Sequence, residues 1–411
     1  MNIQSGKVDK ELERKFKKHR NYSNKMIKRA VRENAGKNIS NDSSVKEIWS
    51  SINDILRPEM INKKSLKIEI ESQVIEDPHE LAEKFNIFSK EKAEKLAEGI
   101  KKNSNIDPLL KLREKMNGSD LKFKLRTVKE TEVLKIIRQM KSKQSYGHYG
   151  ISSEILKLGA KVLVIPLTYI INTSILTGKY PTDWKLAKIV PIHKKGEKSK
   201  LKNYRPVSLL CIPGMTLERV VALQVEEYFE RNELLGKFQF GFRRNKSTIS
   251  ELLTLFDTLL EAKDEKKEIL ILLYDLSAAF DTVSHYILLE KLCLYGFDNF
   301  AVKWTKSYLE DRKQKVTVAG KFSSAVKVNR GTPQGSRLSP LLFIILMADL
   351  DMWMDKSILS NFADDTQSII INEDHQNLLE LTRKEANSFI KFFESNNLVN
   401  NAEKSSSLIQ Q

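Results

Sequence analysis

The chain has 411 residues, of which 41% are hydrophobic and 30% charged, and this is enough for more than one domain with a real core. Its two cysteines exclude a disulfide framework and a zinc cluster, and they fit a reducing compartment. The start of the chain lacks the apolar core of a signal peptide, and its longest apolar stretch, residues 162–171 around Pro166, is too short to span a bilayer. We therefore expect an intracellular protein, nuclear and cytoplasmic, without a membrane partner.

The net charge of +16 is unevenly distributed along the chain. Residues 1–37 carry twelve Lys and Arg side chains against four acids. Such a cluster suits phosphate binding and suits equally a solvated helix face. We predict a basic helical arm over residues 1–44 and a mostly helical extension over residues 45–130. A second cluster, residues 185–205, carries eight Lys and Arg side chains against Glu197 alone.

Beyond residue 130, helical patterns alternate with short strands, and this irregular order predicts an α+β fold. One pair of strands is predicted at 186–192 and 203–209, on either side of a turn. A second pair is predicted at 313–318 and 321–328, with a tight turn between them.

Two helix starts are predicted from capping signals. Thr248 with Glu251 three residues later matches a capping box. Ser339-Pro340 is expected to open an apolar helix that reaches about Asp355, with proline at the first helical position.

Two segments carry acids at the ends of apolar runs. Phe362-Ala363-Asp364-Asp365-Thr366 places adjacent carboxylates between apolar segments, which predicts a β-hairpin with the acids at its turn. The apolar run 268–274 ends in Asp275 and is typical of a strand buried on both faces. An isolated acid pair would be an ordinary surface turn, but together the two segments can form a site with three carboxylates.

Adjacent carboxylates repel each other, so a site of this kind requires a cation. Oxygen ligands suit hard cations, above all Mg²⁺, which keeps several waters and is completed by substrate phosphates. We expect two Mg²⁺ ions, with Mn²⁺ as an alternative, that activate a 3′-hydroxyl and stabilise a leaving pyrophosphate.

The order of these blocks resembles the reverse transcriptases of non-LTR (LINE-type, jockey-like) retrotransposons. Asp275 with Phe280, the 330–340 segment and Phe362-Ala363-Asp364-Asp365 are similar to motifs A, B and C of that family. The resemblance covers about residues 130–405. Further matching blocks are Pro181-Thr182-Asp183-Trp184-Lys185, Asn203-Tyr204-Arg205-Pro206-Val207-Ser208, Gln239-Phe240-Gly241-Phe242-Arg243 and Ser247-Thr248.

The resemblance implies an RNA-directed DNA polymerase that adds dNTPs to the 3′-hydroxyl of a DNA primer along an RNA template. It also implies a right-hand polymerase domain over residues 131–411, with palm and fingers, behind the mostly helical N-terminal extension.

The same resemblance implies roles for single residues. Asp275, Asp364 and Asp365 would be the catalytic metal ligands, with Asp365 the weakest, and Lys404 would protonate the pyrophosphate. Phe280 would be a steric gate that leaves no room for a 2′-hydroxyl. A phenylalanine is otherwise a core residue and a lysine a solvated one, so these readings stay open.

The remaining predicted contacts are with nucleotide and template. Arg205 and Lys188 would face the triphosphate, although Lys188 could equally be a solvated strand residue. Gln334 and Gly335 would lie near the sugar, in a loop that could also be an ordinary helix entry. Gly241-Phe242-Arg243 would contact the template backbone.

Two departures from the family pattern leave other functions open. Gly147-His148-Tyr149-Gly150-Ile151 stands where the family usually has Gly-Pro-Asp-Gly-Ile. The chain stops at Gln411, just past Lys404, so we expect a piece of a larger element polyprotein without thumb or apurinic-type endonuclease. An inactive fragment that binds RNA or primer-template is one alternative. An RNA-dependent RNA polymerase is another, which Phe280 and the Ala363 before the acid pair disfavour.

Overall fold

The computed structural model describes residue 21 and residues 66–70, 73–98, 106–401 and 404–410. The chain divides into two compact units, residues 1–66 and 67–411. Apart from Asn21, the predicted basic arm lies outside the described residues.

The second unit alternates helices and strands. The described α-helices are α1 (Pro78–Glu98), α2 (Leu110–Met116), α3 (Glu130–Gln139), α4 (Ser153–Leu158), α5 (Ala160–Thr177), α6 (Ile212–Arg231), α7 (Thr248–Asp264), α8 (Ala279–Thr282), α9 (His285–Leu294), α10 (Asn299–Leu309), α11 (Ser339–Leu346) and α12 (His375–Ser395). The described strands are β1 (Ile68–Ile70), β2 (Gln73–Ile75), β3 (Leu186–His193), β4 (Tyr204–Leu209), β5 (Glu268–Tyr274), β6 (Arg312–Val318), β7 (Lys321–Phe322), β8 (Val326–Val328), β9 (Ile358–Phe362), β10 (Asp365–Asn372) and β11 (Ser406–Gln410). Short 3₁₀ turns lie at Thr182–Lys185, Leu201–Asn203 and Leu350–Trp353.

The acid-bearing strands belong to one antiparallel sheet of four strands, in the order β11-β5-β10-β9. Side chains alternate between its two faces because successive residues of a strand point in opposite directions. Ile269 and Ile369 lie on one face with Ala262 of α7, whereas Leu270 and Ile370 lie on the other with Leu378 of α12. The sheet is therefore covered by one helix on each face, and its apolar runs follow from that double burial.

A second sheet has the order β4-β3-β6-β7, with β8 also paired to β6. Strands β3 and β4 are antiparallel, and β3 runs parallel to β6. Both strand pairs predicted in this region are confirmed, although the second strand of the later pair is split into β7 and β8.

The main core lies among the helices and is rich in aromatic residues. Trp304, Tyr308 and Phe343 are fully buried in it, and the rings of Trp304 and Tyr308 are stacked at 5.8 Å. One charged pair is also fully buried there, with the Lys291 ammonium 2.5 Å from Asp349 Oδ1.

Two helix predictions were wrong in detail. The Ser339 helix ends at Leu346 rather than near Asp355, and Asp349, just beyond its end, pairs with Lys291. The capping box of α7 is formed by Ser247 and Ser250, one residue earlier than predicted. Glu251 is instead buried and accepts a hydrogen bond from Ser360 at 3.0 Å, so it links α7 to β9.

The apolar stretch around Pro166 is longer than expected. Pro166 does not end the helix, and α5 runs for 18 residues with a mean hydropathy of 1.5. This length and composition would suffice to cross a bilayer, yet 39% of the helix is buried within the protein. A single helix of this kind is also common in the cores of proteins that cross no membrane, so the absence of a membrane partner stays a prediction.

Candidate active site

The β9–β10 hairpin presents the acid pair at a two-residue turn. Phe362 pairs with Asp365 across the hairpin, which leaves Ala363 and Asp364 as the loop. Ala363 has φ 62°, the left-handed region, which costs a non-glycine residue about 1 kcal/mol. A strained residue of this kind fixes the direction in which Asp364 leaves the turn.

Asp275 follows directly after β5 and lies beside the acid pair. Thr366 of β10 is paired with Tyr274 of β5, so the antiparallel register places Asp365 opposite Asp275. Burial raises the pKa of Asp365, the negative charges of Asp364 and Asp275 raise it further, and the Lys404 ammonium opposes them. The three acids singled out from the sequence therefore meet at one end of this sheet and interact through their charges.

The carboxylate of Asp275 is held by the segment before β11. Its Oδ2 accepts hydrogen bonds from Asn401 Nδ2 at 2.9 Å and from Lys404 Nζ at 3.0 Å. The backbone amide of Asn401 also donates to the carbonyl of Asp275 at 2.8 Å. Lys404 is thus placed at the acid cluster, where its ammonium already serves as a counter-charge.

The expected metal site is not closed in this arrangement. Among the residues that the structure describes, no group of three or more His, Cys, Asp or Glu side chains could hold a metal ion as it stands. The chemistry of the donors fits a hard cation, because three carboxylates share one edge of the sheet and the Lys404 ammonium already lies among them.

Gly241 lies directly behind the acid turn. The Phe240 amide donates to the carbonyl of Asn361 in β9 at 2.8 Å, so the 238–241 segment runs alongside the hairpin. A Cβ atom at Gly241 would lie 2.1 Å from the Ala363 nitrogen. Only glycine permits this approach, which makes Gly241 a support for the turn.

The next two residues differ in what they leave free. Phe242 has φ 59° and is 49% exposed, so its ring is open to a ligand. Arg243 is engaged within the protein, since its guanidinium pairs with both carboxylate oxygens of Glu230 at 2.8 and 2.6 Å and donates to the Gly236 carbonyl at 2.8 Å. Its geometry favours a structural clamp, and its predicted contact with the template stays a prediction.

Phe280 lies at the first turn after Asp275 and is half-buried. Its ring packs at 4.9 Å against Phe343 of α11 and at 6.2 Å, edge to face, against Phe242. Phe280 therefore packs against the core while part of its side chain stays accessible, and both roles considered for this residue fit the geometry.

The 331–338 loop is tied to the segment after Asp275. The Gly331 and Thr332 amides donate to the carbonyls of Val283 and Phe280 at 3.0 and 2.8 Å. Gln334 Nε2 donates to Asp281 Oδ1 at 2.8 Å, and burial raises the pKa of Asp281 although this bond opposes the rise. Both partners line a cavity of about 310 Å³ between the loop and the β3–β4 pair.

The two predicted triphosphate ligands lie on the same face of the β3–β4 pair but at different points along it. Lys188 is paired with Leu209, and Arg205 with Ile192, so about 13 Å of strand separates them. Arg205 is exposed. The Lys188 ammonium instead lies 4.6 Å from the centre of the Tyr146 ring, which favours a packing role.

Two residues of this site were not singled out from the sequence. Asn401 holds Asp275, and Asp281 holds Gln334. The spacing Asn-x-x-Lys before β11 and the acid directly after Phe280 were the available signals. Neither signal indicates which residue is contacted, because each contact joins segments more than fifty residues apart.

Comparison with known proteins shows which family the chain matches. A family model described as "Reverse transcriptase (RNA-dependent DNA polymerase)" matches residues 192–411. The chain is 32% identical over 250 residues to the probable RNA-directed DNA polymerase from transposon BS of Drosophila melanogaster, covering 59% of this chain and 27% of that protein. It is 31% identical over 244 residues to the RNA-directed DNA polymerase from mobile element jockey of the same fly, covering 57% and 26%.

The chain spans about a quarter of the length of these two curated relatives. Among solved structures, it is similar to an apo telomerase from Candida tropicalis truncated from its C-terminal domain, at 14% identity and a TM-score of 0.40. That likeness covers 56% of this chain and 51% of the telomerase chain.

Proposed function

The chain belongs to the reverse transcriptase (RNA-dependent DNA polymerase) family, whose model matches more than half of it, and from that premise we propose that it is an RNA-directed DNA polymerase of a non-LTR, jockey-like retrotransposon. The observation that carries the proposal is the meeting of Asp275, Asp364 and Asp365 at one end of the β11-β5-β10-β9 sheet. This sheet would be the palm, and the β4-β3-β6 sheet part of the fingers. The partners would be an RNA template, a DNA primer and dNTPs.

In the proposed reaction the primer 3′-hydroxyl loses its proton to water and its oxygen attacks the α-phosphate of the incoming dNTP, so that a new O–P bond forms while the bond between the α- and β-phosphates breaks and pyrophosphate leaves. Asp275, Asp364 and Asp365 would hold two Mg²⁺ ions, for which Mn²⁺ could substitute. When bound, these ions lower the pKa of the hydroxyl and neutralise charge on the phosphates. Lys404 Nζ lies 3.0 Å from Asp275 Oδ2, at the acid cluster, and would protonate the leaving pyrophosphate.

The other residues would select and hold the nucleotide. Phe280, which is half-buried, would lie beneath the sugar, and Gln334, which donates to Asp281, would bind near it. Arg205 is the exposed cation of the β3–β4 pair and would bind the triphosphate. Gly241 supports the acid turn, and the exposed ring of Phe242 would contact the template.

A second candidate function is binding of RNA or primer-template without turnover. The ion pair between Lys404 and Asp275 favours it, because the Lys404 ammonium already neutralises part of the negative charge at which a metal ion would bind.

A primer-extension assay with labelled dNTPs on an RNA template distinguishes the two. We expect Asp275→Asn to slow extension by about a thousandfold, because it removes a ligand that contributes about 4 kcal/mol to the transition state. RNA binding should stay within about twofold of the wild type, since no phosphate contact is lost. Asp257→Asn, an exposed acid of α7, is the matched control. If the Asp275 variant extended primers at the wild-type rate, the acid cluster would not be the active site. If the wild type bound RNA but did not extend a primer, the second function would be favoured.

A further inference from the structure

A buried carboxylate that has no part in the chemistry proposed above holds the far end of the 331–338 loop. Glu218 lies in the middle of α6 and is 1% exposed. Its Oε2 accepts hydrogen bonds from Ser336 Oγ at 2.7 Å and from the Arg337 amide at 3.1 Å. Its Oε1 accepts one from the Tyr180 hydroxyl at 3.3 Å. The carboxylate therefore joins a helix to a loop more than one hundred residues further along the chain.

Ser336 connects the Glu218 carboxylate to the start of α11. Its hydroxyl oxygen accepts the Leu338 and Ser339 amides at 2.9 and 3.1 Å. It also lies 2.7 Å from the Tyr308 hydroxyl. Since the Ser336 proton is given to Glu218, Tyr308 is the donor in that contact. The Arg337 amide thus bonds directly to Glu218, and the Leu338 and Ser339 amides are linked to it through the Ser336 hydroxyl.

A buried cation acts on Glu218 from within the core. Burial raises the pKa of Glu218, and the charge of Arg312, which is 5% exposed, opposes this rise. The Arg312 guanidinium donates to the Tyr308 carbonyl at 3.1 Å and lies 5.0 Å from the centre of the Tyr308 ring. A buried carboxylate is costly unless its oxygens are hydrogen-bonded, and both oxygens of Glu218 accept hydrogen bonds.

The loop is consequently fixed at its two ends by different elements. Its start is bonded to Phe280 and Val283, next to Asp275, and its end to Glu218. Gln334 and Gly335 lie between these anchors. Gly335 has φ +91°, and a Cβ atom there would lie 3.0 Å from the Ser208 carbonyl of β4, so glycine lets the loop lie close to that strand. The hydrogen bonds at the two ends of the loop therefore fix the position of both residues.

We propose that Glu218 is a positioning residue for nucleotide binding, which fixes the end of the 331–338 loop so that Gln334 and Gly335 meet the incoming dNTP. The inference rests on the proposed polymerase function. Glu218 touches neither nucleotide nor metal, and it acts through Ser336 and the Arg337 amide.

Two variants and one control test this role. Ser336→Ala removes the hydroxyl and leaves both buried charges in place, whereas Glu218→Gln removes the charge and keeps the shape. Glu226→Gln makes the same change on the same helix, at an acid whose partners are Arg219 and Arg244 rather than the loop. In single-nucleotide extension, both loop variants should raise the dNTP KM about tenfold, the effect of about one charge-assisted hydrogen bond, with a smaller change in kcat. The control should keep the wild-type KM.

Hydrogen exchange gives a readout that does not require activity. The Arg337, Leu338 and Ser339 amides should exchange faster in both loop variants than in the wild type and the control. An unchanged dNTP KM with unchanged exchange at these amides would overturn the proposal, as would a loss of kcat and thermal stability without any change in KM. If the wild type itself does not extend a primer, the polymerase function fails, and unchanged exchange would then still refute the anchor.

Discussion

Asp281 is the buried side chain that accepts a hydrogen bond from Gln334, and its titration affects the stability of the protein. It is buried beside Gln334, and burial raises the pKa of its carboxyl group. An acid with a raised pKa contributes stability below its unfolded pKa, and this contribution is lost as the pH rises through the folded value. The stability that Asp281 contributes is therefore greatest at acidic pH.

Replacing the Asp281 carboxyl group should make the stability of the protein less dependent on pH. We expect the melting temperature of Asp281→Asn to increase relative to the wild type between pH 4 and pH 7, because the wild type alone must ionise a buried group. Thermal unfolding at several pH values measures the difference. The exposed Asp257→Asn serves as control and should run parallel to the wild type. A constant difference between Asp281→Asn and the wild type would show that this carboxyl titrates normally.

Phe280 can be tested as a gate separately from its role in the core. Its ring contacts Phe343, so Phe280→Val should cost about 1–2 kcal/mol of unfolding free energy. If the accessible part of its side chain lies beneath the sugar, the same change should raise ribonucleotide relative to deoxyribonucleotide incorporation. The ratio of kcat/KM for the two nucleotides measures this within one protein. A destabilised variant with the wild-type ratio would make Phe280 a core residue only.

At the scale of elements, the sequence predicted strands best where an apolar run is followed by residues typical of a turn. The β3–β4 pair and the β9–β10 hairpin were predicted closely because their apolar runs end at polar turns. The helix after Ser339 was predicted too long, because its composition gives no sign that Asp349 pairs with Lys291 beyond its end. Local patterns predict elements, and they do not predict such distant partners.

The same limit applies to the candidate site. The three acids could be singled out from the sequence because each ends an apolar run. Asn401 and Glu218 could not, since their roles depend on contacts with Asp275 and Ser336 that are remote in the chain. Gly241 was noted for its block, but the reason for a glycine there is the nearby backbone of Ala363.

The contact between Gly241 and the hairpin gives a prediction for that element. In Gly241→Ala the new Cβ would lie 2.1 Å from the Ala363 nitrogen, so the acid turn must move. We expect extension to fall at least about a hundredfold, since small displacements of reacting groups are that costly. Gly236→Ala is the matched control, because its Cβ would meet only Asp351 Oδ2, at 3.7 Å. Equal activity of the two variants would show that the turn tolerates displacement.

At the scale of the whole molecule, the net charge of +16 attracts any polyanion, whichever surface is used. A salt dependence of RNA binding is therefore expected, and by itself it does not identify the surface that binds RNA. The local question is whether the β3–β4 pair, with its eight Lys and Arg over residues 185–205, contacts phosphates directly.

Two variants of equal net charge separate the general attraction from a local contact. Arg205→Ala removes an exposed cation of β4, and Arg383→Ala removes one of α12, the helix that covers one face of the acid-bearing sheet. Each lost phosphate contact should lower the log–log salt slope by about 0.7 on single-stranded RNA, because fewer counterions are released. We expect this decrease for Arg205→Ala, together with a higher dNTP KM if the guanidinium also binds the triphosphate. Arg383→Ala should keep the wild-type slope. Equal slopes in all three proteins would mean that β4 attracts nucleic acid only through the overall charge, and that the phosphates are bound elsewhere.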